Sequence, residues 1–445
     1  MSPLRFNKNL YHYWLIMKLE ENIKKEFHQY KNQAEESAFF QMREKAFAEF
    51  DKNGFPTIKN EEWKYTNLKN IFDKNFQSTC VSSANVQNLL VGSVFNNIKA
   101  NKLVFVNGSF NADLSIIIEK DNAIIISNLA KARKENTHEF DAHFGKYVKI
   151  ENESLNAMNT ALMSDGAFIF VPSSKKVENP IIIINMLDSS DINVLSQPRN
   201  LIVLEKNADA CIVESYLSMG ANASFTNVVN EIYANENAHL EHYKIQQQLG
   251  ETYHNNYTQI FQEANTNINQ VTLTLDGTTV RNNLHFFMNG KNCNTLLYGL
   301  YITEGLNHVD NHTRVDHAMP NCQSNELYKG IMKDKSTGVF NGKIMVHLDA
   351  QKTNAYQRNQ NILLDENATI NTKPQLEIFA DDVKCTHGAT IGQLDEEPMF
   401  YLRSRGIPED VARKMLLNAF ADDIAEKIKI PELVGLLEQL IDEKL

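Results

Sequence analysis

The sequence lacks the features that mark nucleic-acid-binding, membrane-spanning and disulfide-stabilised proteins. Its 445 residues include 44 basic and 55 acidic side chains, and a net charge of −11 argues against the basic surface that a nucleic-acid partner requires. No apolar run approaches the roughly 18 residues of a membrane-spanning helix. The cysteines are scattered, odd in number and without a C-x-x-C pair: Cys80, Cys211, Cys293, Cys322 and Cys385. We therefore expect no disulfide framework and no self-contained zinc site, and a reducing cytoplasm fits.

The loops that carry common enzyme chemistry are also missing. The nearest approach to a phosphate-binding loop is the segment from Gly338 to Lys343, but its two glycines are one residue too close. Ile344 also stands where Ser or Thr should follow the lysine. The G-x-S-x-G motif of a serine hydrolase is absent too. The sequence therefore predicts no nucleotide site and no nucleophile elbow.

The N-terminal part of the chain is predicted to be mostly helical. Residues 1–16 have only a short apolar patch, too short for a secretory signal, so we interpret them as an extension before a natural start at Met17. From there Leu19, Ile23 and Phe27 recur at four-residue spacing, which predicts a helix. Within this helical region, 17–100, the segment EEWKYTNL contains Trp63 and Tyr65, which we expect to pack against neighbouring segments.

Short strands rich in β-branched residues begin at Asn101, and no helical periodicity of useful length appears before the 390s. Small polar corners follow some of them at a regular interval. Their central residues, Ala208, Ala238, Ala264 and Cys293, are 30, 26 and 29 residues apart. A period near 28 with two strands in each repeat predicts a solenoid over 101–394. The alternative, a β-sandwich, would not need corners at a repeating interval.

The last region, 395–445, is predicted to be helical. A first helix is predicted from Asp395 to Arg405, and Pro408 and Pro431 are suited to the first turns of two more. Two roles stay open from the pattern alone. The helices could cap the end of the solenoid, which needs a cap, or their spare apolar surface could dock a partner.

A Cys-x-His pair stands where the strands give way to these helices. Alternate residues of a strand point the same way, so Cys385 and His387 are expected to share one face. A thiol and an imidazole suit a soft metal centre. The alternative interpretation is a buried free cysteine beside a hydrogen-bonded structural histidine, because two ligands do not make a closed site.

A second cluster of ligand-type side chains occurs in the segment HVDNHTRVDH. On a strand, His308, Asp310 and His312 would share a face and His317 would lie on the other. Asp316 also lies within these ten residues. The pattern is compatible with a metal site, but nothing supplies a closed coordination geometry. A polar corner network is the favoured interpretation.

Several long stretches resemble the SufB/SufD family, whose members are subunits of the SUF iron–sulfur cluster assembly machinery. They are EEWKYTNL, VDNHTRVDHAMPNCQSNELYKGI, GVFNGKIMV, AQKTNAYQRNQNILL, TKPQLEIFADDVKCTHGATIGQLDEEPMFYLRSRGI and the helix with AFADDI. The resemblance is dense over 307–424, sparser but colinear back to Trp63, and leaves residues 1–16 unexplained. The EEWKYTNL segment resembles the SufD branch rather than the SufB branch.

The resemblance implies a mainly β protein with a parallel β-helix core between N-terminal and C-terminal helical regions. It also implies a scaffold subunit rather than an enzyme, pairing with a SufB-like sister subunit and docking the ABC-type ATPase SufC through its C-terminal helices. An isolated chain could instead pair with itself through the same strands. The rival class is a β-helix carbohydrate-active enzyme with acidic residues in a groove.

The family motif K-C-[ST]-H-G maps onto residues 384–388, with Thr386 at its variable position. The resemblance implies that His387 is linked to a transient iron–sulfur cluster, assembled in the complex and absent from the isolated chain. The adjacent Cys385 is also implicated, and the family role includes iron acquisition. Both residues are therefore candidate metal and cluster ligands.

Overall fold

The computed structural model describes residues 8–32, 37–72, 74–78 and 85–444. The predicted extension 1–16 falls partly outside them, since residues 8–16 lie in the first helix and residues 1–7 are not described. Cys80 also lies outside the described residues. The helices are α1 (Lys8–Lys31), α2 (Ala38–Asn53), α3 (Lys69–Phe72), α4 (Val86–Gly92), α5 (Leu129–Glu135), α6 (Thr137–His143), α7 (Ser154–Leu162), α8 (Glu396–Ser404), α9 (Glu409–Ala425) and α10 (Pro431–Lys444).

The strands form most of the chain between the helical ends. They are β1 (Asn101–Val106), β2 (Ser109–Phe110), β3 (Ile125–Asn128), β4 (Ala167–Val171), β5 (Ile181–Asp188), β6 (Val194–Ser196), β7 (Arg199–Leu204), β8 (Asp209–Met219), β9 (Ser224–Ala234), β10 (His239–Gln247), β11 (Thr252–Gln262), β12 (Asn267–Thr274), β13 (Thr279–Met288), β14 (Asn294–Thr303), β15 (His308–His317), β16 (Gln323–Met332), β17 (Thr337–Val346), β18 (Asn354–Leu363), β19 (Thr369–Ile378) and β20 (Lys384–Gly392). The protein is therefore mainly β, as predicted.

From β7 onward, successive strands alternate between two walls of a solenoid. The first wall has the order β2-β1-β5-β8-β10-β12-β14-β16-β18-β20, and the second runs β19-β17-β15-β13-β11-β9-β7-β4-β3. From β5 and β4 onward the neighbours in each wall are parallel; His239 of β10, for example, pairs with Asn267 of β12, which pairs with Asn294 of β14. Each lap thus contributes one strand to each wall. The predicted solenoid is confirmed and the β-sandwich alternative is wrong.

The corners of the laps explain why the repeat was visible in the sequence. An asparagine with a left-handed backbone conformation lies at the same point of successive laps. Asparagine tolerates this conformation better than most residues do. The asparagines are Asn207, Asn237, Asn265, Asn292 and Asn321. The predicted corner residues Ala208, Ala238 and Cys293 each follow one of them directly, whereas Ala264 precedes Asn265. The predicted period near 28 residues agrees with these corners, but the equivalent residue in that lap is Thr266.

Helices also occur inside the region predicted as strands, which corrects that part of the sequence analysis. The helices α5, α6 and α7 have only seven, seven and nine residues, too few turns to show a clear apolar stripe. In α7 every residue from Leu155 to Leu162 is buried, including the polar residues Asn156, Asn159 and Thr160. These helices cover the outer face of the second wall near its N-terminal end.

The interior of the solenoid changes from apolar to polar along its length. Isoleucines such as Ile183 and Ile212 fill the early laps. Further along, ring Nε2 of His242 lies 2.7 Å from Glu214 Oε1, and the Lys244 ammonium lies 2.9 Å from His254 Nε2. Burial lowers the pKa of Lys244 to about 7. The later laps are therefore held together by hydrogen bonds as well as by apolar contacts.

The C-terminal helices lie along the flank of the solenoid. Leu417 of α9 and Leu437 of α10 belong to a buried cluster that includes Leu300 on the outer face of the first wall. The Lys329 ammonium reaches Asp423 at 2.6 Å and fixes α9 to the same wall. These two helices therefore do not cap the end of the solenoid, and that alternative is wrong. None of the described helices combines the length and the apolar composition needed to cross a membrane.

Candidate functional site

The strand β20 carries the Cys-x-His pair at the edge of the first wall. Cys385 lies in register with Ala355 of β18, and His387 lies in register with Gln357. Ala355 and Gln357 are fully buried and therefore face the interior of the solenoid. Cys385 packs against the same interior cluster as Ala355. Since alternate residues share a face, Cys385 and His387 both lie on the inward face of the last strand.

The environment of the pair is open on one side and apolar on the other. His387 is exposed and Cys385 is half-buried, because no further strand of the described chain follows β20 in the wall. Burial raises the pKa of the Cys385 thiol, although a backbone hydrogen bond at Ala355 opposes the shift. Without a bound metal this group is therefore a thiol at neutral pH. A metal ion would have to displace its proton.

The last lap leaves the end of the solenoid unfinished. Residues of β19 that continue the inward rows of β17 are only partly buried or, at Ile378, exposed, whereas their partners in β17 are fully buried. Among the described strands, β19 and β20 are each terminal in their wall, so each presents backbone N–H and C=O groups on an edge that no described strand covers. Within the described chain, the buried hydroxyl of Thr372 has no hydrogen-bond partner. This end is suited to pairing with another chain.

Cys385 and His387 do not form a complete metal site by themselves. Among the residues that the structure describes, no group of three or more His, Cys, Asp or Glu side chains could hold a metal ion. A four-coordinate centre bound here would need its remaining ligands from outside this chain.

The segment HVDNHTRVDH forms β15, and its side chains divide between the two faces as predicted. Asp310 lies 2.6 Å from Arg281 Nη1 and 3.0 Å from His312 Nε2. The hydroxyl of Thr66 lies 2.9 Å from His308 Nε2 and also donates to Asp310. His317, the last residue of the segment, points inward and lies 2.9 Å from the Ser324 hydroxyl.

This cluster is a polar network, as the sequence indicated. It lies on the outer face of β15, whereas the sequence placed it at a corner. Burial alone would raise the pKa of Asp310, but the charges of His312 and Arg281 outweigh it and hold that pKa well below its usual range. The Arg281 guanidinium also stacks 3.9 Å from the Trp63 ring. Together these contacts fix the EEWKYTNL segment to the second wall. Trp63 is thus the predicted packing anchor, whereas Tyr65 is exposed.

Exposed apolar side chains occur on the helices that follow β20. Phe400 and Tyr401 of α8 are 74% and 56% exposed, and Val411 and Met415 of α9 are also exposed. No residue of α8 is buried. Asp395 caps α8 by accepting a hydrogen bond from the backbone N–H of Glu397. The connection between β20, which ends at Gly392, and α8, which begins at Glu396, is therefore short. An apolar surface thus lies close in sequence to the Cys-x-His pair.

Comparison with known proteins identifies the family. The SufBD core domain of the SUF iron–sulfur cluster assembly system matches residues 185–420, and the SufBD N-terminal region matches residues 17–183. The chain belongs to the SufBD family. The predicted family is thus confirmed, and this SufBD protein is a member of the SUF system of iron–sulfur cluster assembly.

Relatives resemble this SufBD protein over most of its length. An iron–sulfur cluster assembly SufBD family protein of Synechocystis is 32% identical and covers 87% of this chain and 86% of its own. SufD of Escherichia coli is 29% identical over 85% of this chain and 86% of its own. SufD of Bacillus subtilis is 27% identical over 75% and 77%.

Proposed function

We propose that this SufBD protein is a non-catalytic scaffold subunit that holds part of a nascent iron–sulfur cluster at the open end of its solenoid. The proposal includes pairing with a SufB-like sister subunit, docking of a SufC-like ATPase and a part in iron acquisition. The observation that carries it is the position of Cys385 and His387 on the inward face of β20, the edge strand of the first wall, which pairs with β18 on one side only among the described residues. Two ligand-type side chains thus stand where another chain can approach.

Pairing with a sister solenoid would complete the unfinished lap. The free edges of β19 and β20 can add strands from a partner by main-chain hydrogen bonding. Such pairing would also cover the partly buried inward residues of β19. A second copy of this chain could use the same edges, which makes the homodimer an alternative state of the isolated subunit.

The cluster is the cargo of this site, and the ligand set suits temporary binding. Iron–sulfur clusters are normally held by cysteine thiolates, and histidine in place of cysteine changes the potential of the centre. His387 would be a direct ligand, and Cys385 would be a second ligand or a sulfur carrier. Burial keeps Cys385 protonated until iron binds, because the metal charge then favours the thiolate. The remaining ligands would come from the sister subunit.

The ATPase would dock on the exposed apolar surface of α8 and α9. Phe400, Tyr401, Val411 and Met415 supply the large exposed side chains that dominate many protein interfaces. The rest of α9 and α10 is held to the first wall by buried leucines and by the Lys329–Asp423 ion pair. Motion of a bound ATPase would therefore act on the short connection between α8 and β20.

Co-expression tests this proposal against the rival carbohydrate-active enzyme. The full chain is expressed with SufB-like and SufC-like proteins from the same source and purified by a tag on this chain alone. The proposal predicts that both proteins co-purify and that the complex builds a cluster under anaerobic conditions. Failure of both proteins to co-purify, or turnover of a polysaccharide by the isolated chain, would overturn it.

A further inference from the structure

A ladder of polar side chains leads from His387 into the interior of the solenoid. His387 of β20 is in register with Gln357 of β18, which is in register with Glu326 of β16. Gln357 Nε2 donates to Glu326 Oε2 at 2.8 Å. Gln357 and Glu326 are each only 1% exposed. The exposed imidazole thus stands directly above a buried amide and a buried carboxyl.

One acceptor atom of this ladder, Gln357 Oε1, has no hydrogen-bond partner among the described residues. A buried acceptor without a hydrogen bond is costly, so such an atom in a native protein calls for an explanation. Since the Gln357 amide nitrogen is turned toward Glu326, its oxygen is free to accept a hydrogen bond from another group. The next side chain of the same row is His387.

We infer that Gln357, oriented by Glu326, is a positioning residue for His387 when that histidine binds metal. A histidine ligand almost always donates its second ring N–H to a nearby acceptor, which fixes the tautomer and the ring orientation. Adjacent strands lie about 4.8 Å apart, a separation that a glutamine side chain can bridge. Gln357 Oε1 accepts this ring N–H, and the hydrogen bond to Glu326 keeps the amide from turning over. The inference rests on the proposed role of His387 as a ligand.

Zinc binding by the full-length chain tests the inference without requiring an assembled cluster. Zn²⁺ is titrated into chain with ¹⁵N-labelled histidine, and the His387 ring signals are identified by their loss in His387→Ala. Gln357→Leu should weaken the zinc binding assigned to His387 by roughly 10- to 100-fold. It should also remove the protection of the second ring N–H from exchange with solvent. Asn359→Leu is the matched control, since Asn359 is buried on the same face of β18 but lies beside Ala389.

A double exchange, Glu326→Gln with Gln357→Glu, provides rescue if the leucine variant is poorly folded. The amide at position 326 can then donate to the carboxylate at position 357, whose second oxygen still accepts from the ring. This variant should restore zinc affinity and N–H protection to near wild-type values. Unchanged zinc binding and protection in a folded Gln357→Leu, or failure of the double exchange to restore them, would overturn the positioning role alone. Unchanged zinc binding in His387→Ala would instead overturn the proposed ligand itself.

Discussion

Glu326 is a buried carboxyl whose protonation should contribute to the pH dependence of stability. Burial raises its pKa from 4.5 to about 7. At pH values between 4.5 and about 7, the Glu326 carboxyl is therefore protonated in the folded state and ionised in the unfolded state. The stabilising contribution is complete below the unfolded pKa and is lost as the pH rises through about 7. A shift of this size corresponds to a contribution on the order of 3 kcal/mol.

Replacing Glu326 with glutamine should flatten this part of the stability profile. The free energy of unfolding of Glu326→Gln should fall less than that of the wild type as the pH rises from about 4.5 to about 7. The measurement is thermal or chemical unfolding at a series of pH values. Glu438→Gln is the control, because Glu438 is exposed on α10. Parallel profiles for the wild type and Glu326→Gln would show that this carboxyl does not titrate as stated.

The residue types of the candidate site could be predicted from the sequence, but their surroundings could not. Alternation along a strand was enough to place Cys385 and His387 on one face. It does not reveal which face is inward, so the buried row of Gln357 and Glu326 was missed. Thr66, which binds His308 and Asp310 across more than two hundred residues, was missed because local spacing carries no information about such a contact.

At the scale of the element, the free edge of β20 can be blocked without breaking the pairing of β20 with β18. The Lys384 N–H donates to the carbonyl oxygen of Thr353, so it points toward the neighbouring strand β18. Since the partners of successive residues alternate in a parallel ladder, the N–H groups of His387 and Ala389 lie on the free edge. Ala389→Pro removes one of these N–H groups and should weaken pairing with the sister subunit or with a second copy. Ala389→Ser keeps the N–H group and should pair normally.

Sedimentation and tag-based co-purification measure this effect. Ala389→Pro should shift the isolated chain toward monomer if it forms homodimers, and it should recover less of the SufB-like protein than Ala389→Ser. Equal recovery with both folded variants would place the partner elsewhere on the molecule.

The helices α8 and α9 permit a similar test of ATPase docking. Replacing both Phe400 and Met415 with serine should weaken SufC binding by about 2 kcal/mol or more, roughly 30-fold, while the fold is kept because both side chains are exposed. Leu306→Ser is the control, since Leu306 is an exposed apolar residue of a solenoid corner. Unchanged affinity in the double variant would refute this docking surface. Deleting residues 396–445 would be a poorer test, because it would also uncover the apolar outer face of the first wall.

At the scale of the whole molecule, the period of the corners was sufficient to predict the solenoid. Each lap returns to the same corner geometry, so its small and polar residues recur along the sequence. The short helices α5 to α7 were missed because seven to nine residues contain too few turns to show a clear apolar stripe. The polar interior was missed because alternation separates the two faces of a strand without showing which face is inward. Polar residues such as Glu214 and His242 lie on the inward face.

His387 is the proposed cluster ligand at the open end of the solenoid, and the function of the whole molecule depends on it. The most direct measurement is anaerobic reconstitution of the complex containing His387→Ala, followed by iron and sulfide analysis and the visible spectrum. His138→Ala is the matched control, because His138 is exposed on α6. We predict that His387→Ala still co-purifies with the SufB-like and SufC-like proteins but accumulates little iron, sulfide or visible absorption. A cluster yield equal to that of the wild type would contradict it.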